Sequence, residues 1–195
     1  MEVAGDIEAR IITTDHLQDD HLLGKDQNVR PTGTLPIVHR FICFEVGIGH
    51  LTYPQAQAQC NTYGGVLSGI QNDWERQLIA NESVRQLIPH NVNLAGVWLG
   101  ASKIPGTNSF QWNDGHTTGA VEFYGPGQPD NALGDPRGPQ NCLQLIVMAP
   151  NYWNSPDKWR TFPRLIDDYW CHMAHDPAQR MYACGKRGPS DNTIG

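Results

Sequence analysis

The chain has 195 residues, enough for one domain with a tail, and 39% of them are hydrophobic, which supports a modest core. Its formal net charge of −6 argues against nucleic acid and against an anionic membrane surface as partners. No apolar run reaches the ~18–20 residues of a membrane span, so we expect no membrane insertion.

Residues 1–36 form an acidic segment with seven carboxylate side chains, three basic side chains and few large apolar residues. This composition favours a disordered tail; a short helix docked on the domain is the alternative. We expect residues 37–187 to form the domain and residues 188–195 to form a short C-terminal tail.

The domain is expected to begin with a strand and a helix. Residues 37–46, IVHRFICFEV, are rich in β-branched and aromatic side chains and predict the strand. In the following segment, Pro54 suits the first turn of a helix, and Gly64-Gly65 suits its end.

A second helix is predicted over residues 71–88. Asn72 or Asp73 would cap its N-terminus, and Pro89 would stop it. Its apolar stripe is expected to consist of Trp74, Leu78, Ile79, Val84, Leu87 and Ile88.

The rest of the domain alternates short β-type runs with long connections rich in glycine and proline. The runs are residues 96–102, 109–115, 141–148, 165–171 and 180–187. Helices followed by strands predict an α+β domain, and loops of this length usually carry function.

Five motifs within residues 38–187 resemble those of the C-type lectin domain and occur in the same order along the chain. The matching motifs are VWLG (97–100), FQWNDG (110–115), GQPDN (127–131), NCLQL (141–145) and YACGKR (182–187). The resemblance, closest to QPD-bearing members of invertebrate type, implies the C-type lectin-like fold. That fold has two helices, antiparallel strands and a long loop region.

The chain has five cysteines and no CxxC pair, which argues against a zinc knuckle and favours two disulfides with one leftover thiol. Two disulfides imply an oxidising compartment and hence a secreted protein. Residues 1–36 lack the pattern of a signal peptide, so secretion implies a trimmed leader or a different start. The family resemblance implies the pairs Cys60–Cys184 and Cys142–Cys171.

Cys43 is the leftover cysteine in that scheme. In longer members of the family, a cysteine at this position pairs with a partner some ten residues upstream, and this chain has no cysteine there. We consider two states for Cys43, a buried free thiol and an intermolecular bridge that makes a homodimer.

The triplet Gln128-Pro129-Asp130 places an amide and a carboxylate on either side of a proline. Both groups offer hard oxygens, and Ca²⁺ takes six to eight of these. In the family this proline follows a cis peptide bond, which points both flanking side chains the same way. The resemblance therefore implies that Gln128 and Asp130 bind Ca²⁺ and a sugar.

Three further residues correspond to ligand positions of the family. Asp167 and Asp168 stand where the family has an asparagine and an aspartate, and Gln140 stands where it has a glutamate. The charge gained at Asp167 balances the charge lost at Gln140. The alternative is that the two aspartates face solvent. Adjacent strand residues point to opposite faces, so only an irregular strand end would bring both to one ion.

The order amide-proline-acid accompanies galactose-type specificity in the family, so galactose or GalNAc is the expected terminal sugar. Binders of this type usually stack an aromatic ring on the sugar, but residues 131–140 contain none. Tyr152, Trp153 or Trp159 could substitute.

The sequence therefore predicts a calcium-dependent lectin. The alternative is a calcium-independent C-type lectin-like module that binds a protein or a surface, favoured by Gln140 and by Ile166, which replaces the family's tryptophan. We expect no enzyme, because no Ser/His/Asp order, GxSxG elbow or phosphate-binding glycine loop is present. The sequon Asn81-Glu82-Ser83 predicts a glycoprotein.

Overall fold

The computed structural model of the protein describes residues 41–152, 162–174 and 179–187. The expected tails, residues 1–36 and 188–195, lie outside the described residues, so the domain boundaries stay predictions. Among the residues that the structure describes, no helix combines the length and the apolar character needed to cross a membrane.

The elements follow the predicted order of two helices and then strands. In chain order they are β1 (Phe41–Ile48), α1 (Tyr53–Thr62), β2 (Val66–Leu67), α2 (Asp73–Leu87), β3 (Leu94–Lys103), β4 (Phe110–Trp112), β5 (Cys142–Met148), β6 (Ile166–Tyr169) and β7 (Gln179–Arg187). Two 3₁₀ turns, Ile88–His90 and Pro150–Tyr152, follow α2 and β5.

The described strands form one sheet in the order β1-β7-β3-β5-β6, with β2 paired to β7 and β4 paired to β3. The sheet is mixed. Strands β3 and β7 run parallel, whereas the other pairs are antiparallel. The expectation of antiparallel strands is therefore wrong for this pair. Strand β7 enters the sheet between β1 and β3 after a long crossover, the kind of connection that parallel strands require.

Helix α1 begins and ends where its sequence predicts. The Thr52 backbone N–H donates to Gln55 Oε1 at 2.9 Å, and Pro54 lies in the first turn, where its missing N–H is not needed. After the helix, Gly64 has a φ of 72°, the left-handed region that favours glycine.

Helix α2 buries only part of the predicted stripe, namely Ile79 and Leu87. Its cap is as expected, because Asn72 Oδ1 accepts from the Glu75 backbone N–H at 3.0 Å. Trp74 and Ile88, however, are 51% and 59% exposed. The buried residues are Arg76, Ile79, Ala80, Ser83 and Leu87, one face at helical spacing that the docking of α2 on the sheet selects.

Two hydrophobic clusters lie on opposite faces of the sheet. Consecutive residues of β3 alternate between them, since Val97 and Leu99 join the cluster beneath α2, whereas Trp98 joins the cluster beneath α1. The disulfide Cys60–Cys184 ties α1 to β7, with the two Cα atoms 5.3 Å apart.

The second disulfide, Cys142–Cys171, joins the start of β5 to the segment after β6. Both pairings and the C-type lectin-like fold are therefore confirmed, with two helices and a mixed sheet. The backbone of Cys43 pairs with Gly185, but its side chain lies outside the described part, so both states of Cys43 stay predictions.

Gly100 explains why the VWLG motif ends in glycine. Its N–H donates to the Ser68 carbonyl at 2.8 Å, and a Cβ at this position would overlap the carbonyl oxygen of Leu67. The strand and the Leu67-Ser68 segment therefore approach more closely than any side chain permits.

We expect Gly100→Ala to lower the free energy of unfolding by about 2–3 kcal/mol, because the new methyl group must displace backbone. Urea denaturation measures the change. The control is Gly106→Ala at a turn with φ of 76° and open space, where a loss of about 1 kcal/mol is expected. Equal losses in the two variants would contradict this account.

Candidate functional site

The triplet Gln128-Pro129-Asp130 forms a turn tied at both ends. The peptide bond before Pro129 is cis, as the resemblance implies. The Gln128 N–H donates to the Gly125 carbonyl at 2.9 Å, and Asn108 Nδ2 donates to the Pro129 carbonyl at 2.8 Å. Gln128 Oε1 accepts from the Asp130 N–H at 3.0 Å, so the amide also supports its own loop.

Asp168 holds this loop against β6. Its side chain is fully buried, Oδ1 accepts from the Asp130 N–H at 3.1 Å, and Oδ2 accepts from the Asn131 N–H at 2.8 Å. Burial raises the pKa of Asp168, while the two backbone hydrogen bonds oppose that rise. Both carboxylate oxygens of Asp168 thus support the loop.

The Asp167 side chain points to the other face of β6 from Asp168, because adjacent residues of a strand point to opposite faces. Its Oδ2 accepts from Gln144 Nε2 at 2.9 Å across the β5–β6 pair. Asp167 is 6% exposed and Asp168 is 0% exposed, so the alternative in which both face solvent is wrong.

Four of the five predicted site residues line one cavity of about 260 Å³. They are Gln128, Asp130, Gln140 and Asp167. Asp168 does not line it, and both of its carboxylate oxygens accept hydrogen bonds from the loop backbone. The structure thus brings together two carboxylates and two amides from three separate parts of the chain.

Gln140, which lines the cavity, has a buried polar atom without a partner among the described residues. The residue is 5% exposed, and its backbone N–H donates to Asn131 Oδ1 at 2.9 Å. Its Oε1 is buried and accepts no hydrogen bond from any described residue. A buried amide oxygen without a donor is unfavourable by about 1–3 kcal/mol, so this atom would gain from a donor or a cation within its reach.

Sequence reasoning missed a second wall of the cavity. The Arg137 guanidinium stacks over the Trp170 ring at 3.5 Å from its centroid, and it donates to both oxygens of Asp135, at 2.8 and 2.7 Å. Trp170 Nε1 donates to the Gly138 carbonyl at 2.7 Å. The Asp-x-Arg spacing in a loop next to the QPD triplet was the available clue in the sequence.

Three aromatic residues line the cavity, Phe162, Tyr169 and Trp170, and Phe162 is the one from the long insert after β5. Phe162 is half-buried, and its ring lies over Gly125, where a Cβ would overlap the ring. Of the expected substitutes, Tyr152 packs against the cluster of Leu94, Ile146 and Met148 and does not line the cavity. Trp153 and Trp159 lie outside the described residues.

The donor set suits a hard cation only in part. Within the described ranges, no group of three or more His, Cys, Asp or Glu side chains is arranged to hold a metal ion. Asp130 and Asp167 nevertheless share the cavity lining with two glutamines, Gln128 and Gln140, and Oε1 of Gln140 is unpartnered among the described residues. Carboxylate and amide oxygens are ligands that Ca²⁺ accepts, whereas structural zinc prefers sulfur and nitrogen.

No protein-family model matches the chain. It is similar to the secretory phospholipase A2 receptors of Homo sapiens and Pongo abelii, each 21% identical over 140 residues, which are 71% of this chain. The chain spans 9% of the length of these curated relatives.

Solved structures of similar shape include binding domains and antifreeze proteins. The cow C-type carbohydrate-recognition domain of CD23, in the presence of GlcNAc2Man3 oligosaccharide, has a TM-score of 0.49 and 17% identity over 76% of this chain and 87% of that chain. The carbohydrate-recognition domain of the mouse scavenger receptor C-type lectin has a TM-score of 0.47 and 19% identity over 73% of this chain and 89% of that chain. A calcium-independent type II antifreeze protein has a TM-score of 0.46 and 22% identity over 82% of this chain and 95% of that chain.

We expect Asp168→Asn to lower the free energy of unfolding by about 1–2 kcal/mol. An asparagine offers one acceptor oxygen, so one of the two hydrogen bonds from the loop backbone to residue 168 is lost, and the relief of burying a charge offsets only part of that loss. Urea denaturation at neutral pH without calcium measures it, with Glu122→Gln as the exposed control. A variant as stable as the wild type would mean that the burial penalty outweighs the hydrogen bonds.

Hydrogen bonds from Arg137 lower the pKa of Asp135 to about 2. We expect Arg137→Gln to return this pKa towards the ordinary value of 3.8, followed by carboxyl ¹³C NMR titration. A lowered pKa means that the pair stabilises the fold fully above the unfolded-state pKa and that this contribution is lost as the pH falls through about 2. An unchanged Asp135 pKa in the variant would show that Arg137 is not its partner in solution.

Proposed function

We propose that this protein is a lectin that binds a terminal sugar with the help of Ca²⁺ in the cavity described above. The observation that carries the proposal is the convergence of Gln128, Asp130, Gln140 and Asp167 on one cavity, with Gln140 Oε1 unpartnered. The four side chains come from three separate parts of the chain, and the bonds that tie the loop to the β6 side chains use Asp168, which is not one of the four.

The side-chain oxygens of these four residues would hold the ion. When bound, Ca²⁺ supplies a positive charge that sugar hydroxyls can coordinate. The electrostatics favour a cation, because the lining residues Asp130, Asp135 and Asp167 against Arg137 give a formal charge of 1 − 3 = −2. With only two charged ligands among the four, we expect weak affinity, ~10⁻⁴–10⁻³ M.

Galactose or GalNAc is the sugar class that we propose. Gln128 can donate an amide N–H to one hydroxyl, and the Asp130 carboxylate can accept from the next, in the order that the resemblance associates with galactose. Phe162 supplies the aromatic surface that residues 131–140 lack, on the wall of the same cavity. A ring packed on the apolar face of a sugar adds affinity without a charge.

The two disulfides support a secreted protein, since such bonds persist in oxidising compartments.

Single sugars held this way bind weakly, so a homodimer bridged through Cys43 would raise avidity by presenting two sites. The sequon asparagine, Asn81, is exposed on α2, which is compatible with a glycan. We propose binding rather than catalysis for this cavity.

A calcium-independent module that binds a protein or a surface is the second candidate. One observation favours it specifically. Both Asp168 oxygens accept backbone N–H groups of Asp130 and Asn131, so protein groups alone maintain the loop. The loop could then present its surface to a partner with no ion present.

Asp130→Asn separates the two candidates. It removes a carboxylate from the cavity, and its side chain accepts only from the Ala132 N–H of its own loop, at 2.9 Å, so folding should survive. We expect at least a tenfold loss of calcium affinity by calorimetry and loss of calcium-dependent retention on immobilised galactose.

The matched control is Glu122→Gln, which removes an exposed charge outside the cavity and should bind as the wild type does. Wild-type protein that shows no calcium heat, with partner binding unaffected by a chelator, would overturn the lectin proposal in favour of the second candidate. Retention on mannose instead of galactose would overturn the sugar class alone.

A further inference from the structure

Arg180 is a charged residue buried in the core. It is 1% exposed, and its guanidinium lies over two aromatic rings, 4.2 Å from the centroid of Tyr169 and 5.2 Å from that of Trp98. A buried cation is unfavourable unless polar groups compensate it, so the partners of Arg180 indicate why the fold keeps it there.

Gln144 connects this cation to the candidate site. Arg180 Nη1 donates to Gln144 Oε1, and Gln144 Nε2 donates to Asp167 Oδ2 at 2.9 Å. A guanidinium can only donate, so the Gln144 amide must turn its oxygen towards Arg180 and its N–H towards Asp167. The arginine thereby fixes the orientation of the amide, and the amide fixes one oxygen of the carboxylate.

The backbone makes room for this arrangement at Gly96 in β3. A Cβ at Gly96 would overlap both Gln144 Oε1 and Arg180 Nη1. Gln144 is itself 1% exposed, so the amide has packed neighbours as well as two hydrogen-bond partners. The three side chains, Arg180, Gln144 and Asp167, form what we term the buried relay.

We propose that Arg180 and Gln144 are positioning residues, which hold the Asp167 carboxylate in the orientation that a cation in the cavity requires. This inference rests on the proposed function, because Asp167 is one of the four oxygen ligands there. The buried relay also links the positive charge of Arg180 to Asp167, which stands where the family has an asparagine. Residues of the core thereby set the orientation of this anionic ligand.

A double-mutant cycle tests the positioning role. Gln144→Met keeps the length of the side chain and removes both hydrogen bonds, and Asp167→Asn removes the positioned charge. The probe is Tb³⁺, an oxygen-binding stand-in for Ca²⁺, whose luminescence Trp170 on the cavity wall can sensitise. Gln111→Met, at an exposed position of β4, is the matched control.

We expect Gln144→Met to weaken Tb³⁺ binding at least fivefold in the wild-type background and less than twofold in the Asp167→Asn background. That non-additivity identifies Gln144 as acting through Asp167. Gln111→Met should bind as the wild type does. Urea denaturation of every variant establishes that the protein being titrated is folded.

A second variant tests the same role if Gln144→Met does not fold, since that substitution removes one acceptor of the buried Arg180. Gln144→Glu keeps an acceptor for Arg180 but offers no donor to Asp167. Simple electrostatics would then tighten Tb³⁺ binding through the added negative charge, whereas loss of positioning weakens it. We expect weaker binding, and tighter binding would overturn the relay.

The outcomes separate this inference from the proposed function. Wild-type protein that binds no Tb³⁺ overturns the calcium site and the positioning role together. Wild-type protein that binds Tb³⁺, with additive effects of Gln144→Met and Asp167→Asn, overturns only the positioning role and leaves the calcium site intact.

Discussion

The two hydrogen bonds from the loop backbone to the Asp168 carboxylate are the interaction on which the site depends. They draw residues 130 and 131 onto β6, and a further bond from the Gly125 N–H to the Ile166 carbonyl anchors the start of the loop at 2.9 Å. This attachment sets the position of Asp130 relative to Asp167, the neighbour of Asp168 on β6. The Cys142–Cys171 disulfide joins the start of β5 to the segment after β6. Covalent and polar constraints therefore act on the same edge of the sheet.

Because adjacent side chains of β6 point to opposite faces of the sheet, Asp167 and Asp168 have different partners. Asp168 faces the loop, where both of its oxygens accept backbone N–H groups, while Asp167 joins the buried relay and the cavity wall. Each carboxylate therefore has its own environment, although only one peptide bond separates them. A third charged group, Arg137, is neutralised locally by Asp135 and braced by Trp170, so it borders the cavity without cancelling its negative charge.

Local sequence rules predicted the features that short-range chemistry determines. The cap and proline at α1, the β-type runs and the grouping of QPD with Gln140 follow from side-chain types and from the family resemblance. The stripe of α2 was mispredicted at Trp74 because the docking angle, and not periodicity, selects which face is buried. The parallel pairing of β3 and β7 depends on the path of a long crossover. Phe162 and Arg137 reach the cavity through irregular loops, for which composition predicts no direction.

The loop held by Asp168 has a thermodynamic consequence for ligand binding. Because protein groups already order the loop, an arriving ion would not have to supply the conformational entropy of ordering it. Binding would then change little besides the hydration of the ion and the cavity, and ion exchange would need no slow rearrangement. By linkage, an ion present at a concentration equal to its dissociation constant stabilises the fold by only about 0.4 kcal/mol. Melting temperature would therefore be a poor reporter of occupancy in this protein, and direct titration a good one.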